Sequence, residues 1–404
     1  MSLRQHFAQV KQAELDASFD TGEFKTVEEA EAFLQECREE NETIRDAAKL
    51  IGELTFLKDN SEGATAEMLI SSANNILKAT PELQLQSFAM ESDVELTTEV
   101  AMEGIGSVID TLKAIWNDKL DKAKKKIKKI GQAISMKFKD FDGKLDDITR
   151  LVSQGDITEE AVKIPKPKRL YFQADGVPTE VEKALTEWAG MSNRNLTFEA
   201  FEEVLAKLKK DKWPDYKSAL LSISQAATLY LDRTGQSEAD GKKLYSSKNP
   251  AYVFYATREG VAGGFQQATV LERKATLSEY YLVLRDVTWY TDNDDVVRKS
   301  GVEEIAPLSA NELKSVLSNM KRTTLTSTKN WHAAMGMMDD VGRLIMETYS
   351  EKTEDMEISK DQHRHLGNIS YNLFIQIIYA AQDFFEFQGR LYEAYLDMCK
   401  RHVL

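Results

Sequence analysis

Along most of the chain the apolar residues return every three or four positions. From residue 104 they fall at Ile105, Val108, Ile109, Leu112, Ile115, Trp116, Leu120, Ala123, Ile127, Ile130, Ile134, Phe138 and Phe141. That spacing lines one face of an α-helix. It predicts a long amphipathic helix over 104–150, whose apolar run alone extends roughly 50 Å at 1.5 Å per residue, with Gly131 as its weak point. Upstream, "TVEEAEAFLQECREENETIRDAAKLIGELTFL" sets Ala30, Phe33, Leu34, Cys37, Ile44, Ala48 and Ile51 at near-helical spacing with acids outside, and Thr26 followed by Glu29 forms a capping box. After Pro81 the period is lost. "ELQLQSFAMESDVELTTEV" predicts an exposed, extended connector over 82–103.

Past the long helix, Pro165 and Pro167 cannot donate backbone hydrogen bonds and hold their preceding residues out of the helical region, so 151–168 reads as a linker. Helical spacing returns in "PTEVEKALTEWAGM", "TFEAFEEVLAKLKKD" and "YKSALLSISQAATLYLDR". The texture then changes: "GFQQATVLERKATLSEYYLVLRDVTWYT" is rich in β-branched and aromatic residues with partial alternation, which predicts a small sheet over 264–291. Ser309 with Glu312 makes a capping box for the next helix, and Leu308 with Leu313 a hydrophobic staple. The last helix, about 368–402, is apolar on most of its surface and should be the central one. The expected fold is mostly α, an α+β arrangement. It divides into an acidic helical segment over 1–103, the long helix over 104–150, the linker, and a C-terminal helical domain over 169–404 that carries the sheet.

Composition agrees with a folded, largely helical protein: 42% of the residues are hydrophobic, with 17 Phe, 14 Tyr and 5 Trp against only 7 Pro and 20 Gly in 404. Charge adds something the periodicity does not show. The formal net charge is −14, yet residues 1–103 hold 22 Asp and Glu against 8 Lys and Arg, so the whole acidic excess precedes Gly104. The long helix is basic: between Lys113 and Lys139 it carries ten lysines against Asp118 and Asp121. No run approaches the ~18 apolar residues of a membrane span. The first twenty residues lack the apolar core of a secretory leader, so synthesis in a cytoplasm is expected. Cys37 and Cys399 are the only cysteines and read as buried thiols.

Candidate chemistry is sparse. "GQSEADGKKL" has five residues between its glycines where a phosphate-binding loop has four, and Lys243 where Ser or Thr must meet magnesium. "GVAGG" at 260–264 lacks the dinucleotide spacing. Asp361, His363 and His365 read as a charged interhelical turn rather than a metal site. His332 reads as packed beside Trp331, and Met335, Met337 and Met338 as core filler. No catalytic residue, metal or cofactor is expected, and the chain is not read as an enzyme.

One pattern remains. Ala89-Met90-Glu91-Ser92 and Ala101-Met102-Glu103-Gly104 are the two places where a small residue, any residue, Glu and a small residue come in order. Both fall in the predicted connector, and the second lies where the charge reverses. With "GIGSVIDTLKAIWNDKLDKAKKKIKKI" directly downstream, this stretch resembles the internal head proteins of large tailed bacteriophages of the phiKZ-like and T-even-like groups. The resemblance implies removal of a propeptide by a prohead protease after small-x-Glu motifs, here at Glu91 or Glu103. It also implies residence inside the virion with capsid or other internal head proteins and the genome.

The basic helix itself has three readings. It packs on the C-terminal domain with its lysines in water, or lies along DNA through Lys119, Lys122, Lys124, Lys125, Lys126, Lys128 and Lys129 as non-specific phosphate contacts, or rests on an anionic membrane with Trp116 at the interface. The first two are compatible, and the membrane is the least favoured partner. A host-directed effector or enzyme carried in the head is the alternative to a structural role.

Overall fold

The computed structural model describes residues 22–78, 80, 83, 97–155, 157–163, 215–239, 252–258, 265–275, 280–291, 304–350 and 359–403. Four long helices carry the architecture: α1 (Val27–Asp59), α3 (Thr98–Gln154), α5 (Ala310–Ser350) and α6 (Lys360–Arg401), joined by the shorter α2 (Ala66–Lys78) and α4 (Tyr216–Arg233). The fold is mostly α with a small antiparallel sheet, as the periodicity predicts.

α3 is the spine. Its 57 residues span about 85 Å at 1.5 Å per residue. Ala101, Ile105, Ile109, Leu112, Trp116, Leu120, Ala123 and Ile127 begin a buried stripe that continues to Val152. Along it α1 runs antiparallel, with Glu31 meeting Lys137 at one end and Ser61 meeting Met102 at the other. α5 is also antiparallel to α3, since Lys321 pairs with Asp146 while Trp331 reaches Gly131. α6 is parallel to it: His365 lies by Trp116, Phe385 by Phe138 and Tyr392 by Phe141. The four helices thus alternate in direction around one core.

α6 is the buried helix its composition predicts, with Leu373, Phe374, Ile375, Ile377 and Ile378 all out of solvent. It starts at Lys360, eight residues before the expected position, where Ser359 and Gln362 form a capping box. Ser309 and Glu312 cap α5 as expected: the Ser309 backbone N–H donates to Glu312 Oε2 at 2.7 Å and the Glu312 N–H to Ser309 Oγ at 3.3 Å. Leu308 and Leu313 are both buried beside that cap. At α1, Thr26 Oγ1 accepts from the Glu29 N–H at 3.3 Å, but the Glu29 carboxylate reaches back one residue further, to the Lys25 N–H at 2.9 Å.

The predicted sheet is found as β4 (Phe265–Ala275) and β5 (Tyr280–Thr291), with a register shift between Thr269 and Val270. Two further strands, β2 (Gln236–Glu238) and β3 (Tyr252–Thr257), extend it in the order β2-β3-β4-β5. β5 packs on α6 and α1. A separate two-residue pairing joins β1 (Val162–Lys163) to β6 (Glu304–Ile305). The start of "GQSEADGKKL" is a helix stop: Gly235, at φ 77°, ends α4 and feeds β2. A phosphate loop needs the opposite order, strand before helix. Lys243 and the glycine run at 260–264 lie outside the described residues, as do the two predicted helices before residue 215.

Two expectations are corrected. The connector is not extended to residue 103, because Thr97 caps α3 by accepting from the Val100 N–H at 3.3 Å and the helix begins at Thr98. The β-branched residues Thr98 and Val100 argue against helix locally, but burial of Ala101 and Ile105 outweighs that preference. The boundary set at 103/104 therefore falls inside one helix. Nor is the acidic segment a unit apart from the C-terminal elements, since α1 packs on α3 and the sheet and bonds to α6 through Asn41 with Gln376 and Arg38 with Glu386.

Candidate interaction face of helix α3

The basic helix presents three surfaces. Its inner stripe is core, and Trp116 belongs there, 1% exposed. An indole in that position is not available to a membrane interface, which removes the observation behind the membrane reading.

The flank beside α1 is where charges meet. Lys126 donates to Glu36 Oε1 at 2.7 Å and Glu40 Oε2 at 2.9 Å. Burial alone would lower its pKa; the two carboxylates more than offset this and hold it above its usual range. Lys129 pairs with Glu23, and its ammonium sits 5.5 Å from the Phe24 ring centroid and 5.0 Å from that of Phe33. Lys137 meets Glu31 at 3.0 Å. Four of the acids behind the charge asymmetry, Glu23, Glu31, Glu36 and Glu40, therefore lie against three of the lysines that reverse it. On the flank facing α6, Lys124 pairs with Asp121 at 3.0 Å and stands 4.8 Å from the Tyr371 ring centroid.

The outer ridge remains. Lys122 pairs with Asp118 at 2.8 Å within the helix. Lys119, Lys125 and Lys128 make no ion pair with any described residue, and Lys125 and Lys128 are exposed. Of the seven lysines expected to meet phosphate, Lys122, Lys124, Lys126 and Lys129 are already paired; Lys125 and Lys128 keep their charge outward, while Lys119 is half-buried on the same flank as Lys126.

Four ion pairs of this kind are not what holds α1 in place, since partly exposed pairs contribute about 0.2–1 kcal/mol each. Leu34, Ile44, Leu50, Ile51 and Leu54 of α1 are 2% exposed or less, and each such side chain contributes about 1.5–3 kcal/mol on burial. Apolar packing dominates, and the acidic face is carried along with it.

Of the expected cleavage residues, Ala89, Glu91 and Ser92 lie outside the described residues. Ala101, Glu103 and Gly104 lie in the first turns of α3, Ala101 facing the core and Glu103 exposed. A protease would have to unwind α3 to take the Glu103–Gly104 bond, because an extended strand is what its cleft accepts.

Elsewhere among the described residues the histidines and cysteines are packed in helices or at a helix end. His363 and His365 are on α6, not in a turn: His363 is buried, and His365 lies between Trp116 and Tyr216 at ring separations of 6.4 and 6.2 Å. Burial, with help from Lys113, draws the His365 pKa down to about 4. Burial pushes both thiols, Cys37 and Cys399, up to about 12. One contact was not visible in sequence: Ser135 Oγ lies 2.6 Å from His332 Nε2 and also donates to the Gly131 carbonyl at 2.9 Å. Ser135 is fully buried, so its hydroxyl ties α3 to α5 and offers no substrate a path.

Met335 packs against the same notch, where a Cβ added to Gly131 would come within 2.8 Å of Met335 Cγ. Gly131 is thus a point of close helix approach rather than a weak point. A cleft of 810 Å³ opens between α1, α3 and α6 over Phe138, Phe141, Phe385 and Tyr392, and two of its rim lysines are paired there, Lys137 with Glu31 at 3.0 Å and Lys144 with Asp140 at 2.5 Å.

Among the described residues no three metal-ligating side chains converge, and no helix is long and apolar enough to cross a membrane. No protein-family model, curated protein or solved structure matches the chain.

Proposed function

We propose that this chain is a structural protein of the interior of a large tailed-phage head, carried with the genome and touching it without reading sequence. The resemblance over residues 89–130 suggests the setting. Three lysines of α3 are the observation that carries the role: Lys125 and Lys128 point outward, Lys119 lies half-buried on the flank, and none of the three meets a carboxylate among the described residues. Lysines so placed neutralise phosphates and release counterions whatever the base sequence.

The four-helix core gives these lysines a rigid backing, and no convergent reactive group competes with this reading among the described residues. Processing by a prohead protease belongs to the proposal at Glu91 and not at Glu103, whose bond is helical. Partners are then the protease, capsid or other internal head proteins, and genomic DNA; no cofactor enters.

Intact-mass analysis of the protein recovered from purified particles tests the setting. Multiple copies per particle with a new N-terminus at Ser92 support it. Absence from particles rejects it, and an intact Met1 end rejects the processing.

A further inference from the structure

We infer that α1 and α2 stay seated on the rest of the molecule when the link between α2 and α3 is cut, so that a processed protein is a two-chain complex in which Lys126, Lys129 and Lys137 remain covered. The inference deepens the proposed function, since it concerns what processing does to the same basic face.

Twelve residues of α1 and five of α2 are buried. Among those of α1, Leu34, Ile44, Ile51 and Leu54 are the kind of side chain that fills the centre of a permanent subunit interface. Polar groups fix the fit. Gln376 Nε2 of α6 donates to Asn41 Oδ1 at 2.6 Å, and Arg38 pairs with Glu386 and with Asp383, the latter at 3.3 Å. At the far end of α1, Ser61 Oγ reaches Met102 Sδ at 3.4 Å.

A cut after Glu91 falls outside α1, α2 and α3 and breaks none of these contacts. What it removes is the tether, whose contribution is an effective concentration in the millimolar range. An interface built like a section of core holds at concentrations far below that, so losing the tether leaves it closed. Salt screens the Lys126, Lys129 and Lys137 pairs but not the apolar burial. The acids of α1 therefore stay over those lysines because their helix is anchored by its other face.

The experiment uses the full chain with a site-specific protease sequence inserted between residues 84 and 96, the uncut insertion protein serving as the folding control. After cutting, the two fragments should co-elute at the mass of the whole chain at about 1 μM, in low salt and in roughly 0.5 M salt alike. The slope of log binding constant against log salt for duplex DNA should stay near the value of about −3 set by three lysines. Separation of the fragments, precipitation of the larger one, or steepening of the slope to about −5 as three more lysines open, would overturn the inference. If the cut fragments co-elute but neither form binds DNA, the inference stands and the DNA contact under Proposed function falls.

Discussion

Asn41, Asn372 and Gln376 are each 1% exposed in the contact between α1 and α6. Gln376 Nε2 donates to Asn41 Oδ1 at 2.6 Å and to Asn372 Oδ1 at 3.2 Å, while its Oε1 is buried and accepts nothing from the described residues. Asn41→Leu keeps the number and branching of the side-chain heavy atoms and removes the acceptor, leaving a buried amide N–H short of a partner. The expected cost is about 1–3 kcal/mol. Gln376→Leu does the converse to Asn41 and costs a similar amount. In Asn41→Leu/Gln376→Leu both polar ends are gone and two apolar side chains meet instead, while Asn372 keeps a further interaction of its own.

The double variant should therefore lie within about 1 kcal/mol of the native protein, with a coupling of about 1–3 kcal/mol between the sites. Urea unfolding of the four proteins, read by circular dichroism and accepted only where the slope with urea is unchanged, measures this. A double variant whose cost equals the sum of the two singles would refute the reasoning: the amides would then act independently rather than as a pair.

Gly131→Ala should destabilise by about 1–3 kcal/mol, despite alanine's better helix propensity, because its Cβ would press on Met335 at 2.8 Å; Gly143→Ala, with nothing within 4 Å in the same helix, should gain up to about 1 kcal/mol. Thermal midpoints that move the same way for both would count against the close approach at Gly131. His365, whose pKa burial and Lys113 lower to about 4, stays neutral in the fold while the unfolded chain takes up its proton near pH 6.5. Its contribution is complete above about pH 6.5 and is lost as the pH falls toward 4, by up to about 3 kcal/mol, and His365→Leu should flatten that window in urea midpoints taken from pH 7 to 4. Thr97→Ala removes the side-chain cap of α3 and should cost about 0.5–2 kcal/mol; an unchanged denaturation midpoint would move the start of the helix elsewhere.

What could be read along the chain was what is local. The stripe from Ile105 to Phe141 announces α3 because period alone decides its buried face, and Ser309 with Glu312 announces the start of α5 because the cap bonds within four residues. The start of α3 was hidden, since Thr98 and Val100 have poor local propensity and only the packing of Ala101 and Ile105 settles the matter. β2 and β3 were hidden because the short β2 is held by pairing with a strand well beyond it, Gln236 opposite Thr257.

The basic face was half legible. Ten lysines between Lys113 and Lys139 are plain in the sequence, but the carboxylates that meet Lys126 lie 86 and 90 residues away. No local pattern links Glu36 or Glu40 to it. The same distance problem concealed Ser135 and His332, 197 residues apart.

The salt dependence of duplex DNA binding by the full chain tests the phosphate role of these lysines most directly. Lys119, Lys125 and Lys128 should give a slope of log binding constant against log salt of about −3, equal for unrelated sequences, and Lys119→Glu/Lys125→Glu/Lys128→Glu should abolish binding while leaving the fold intact. Absence of binding at low salt, or binding that survives the triple reversal, would contradict the assignment of this face to phosphate.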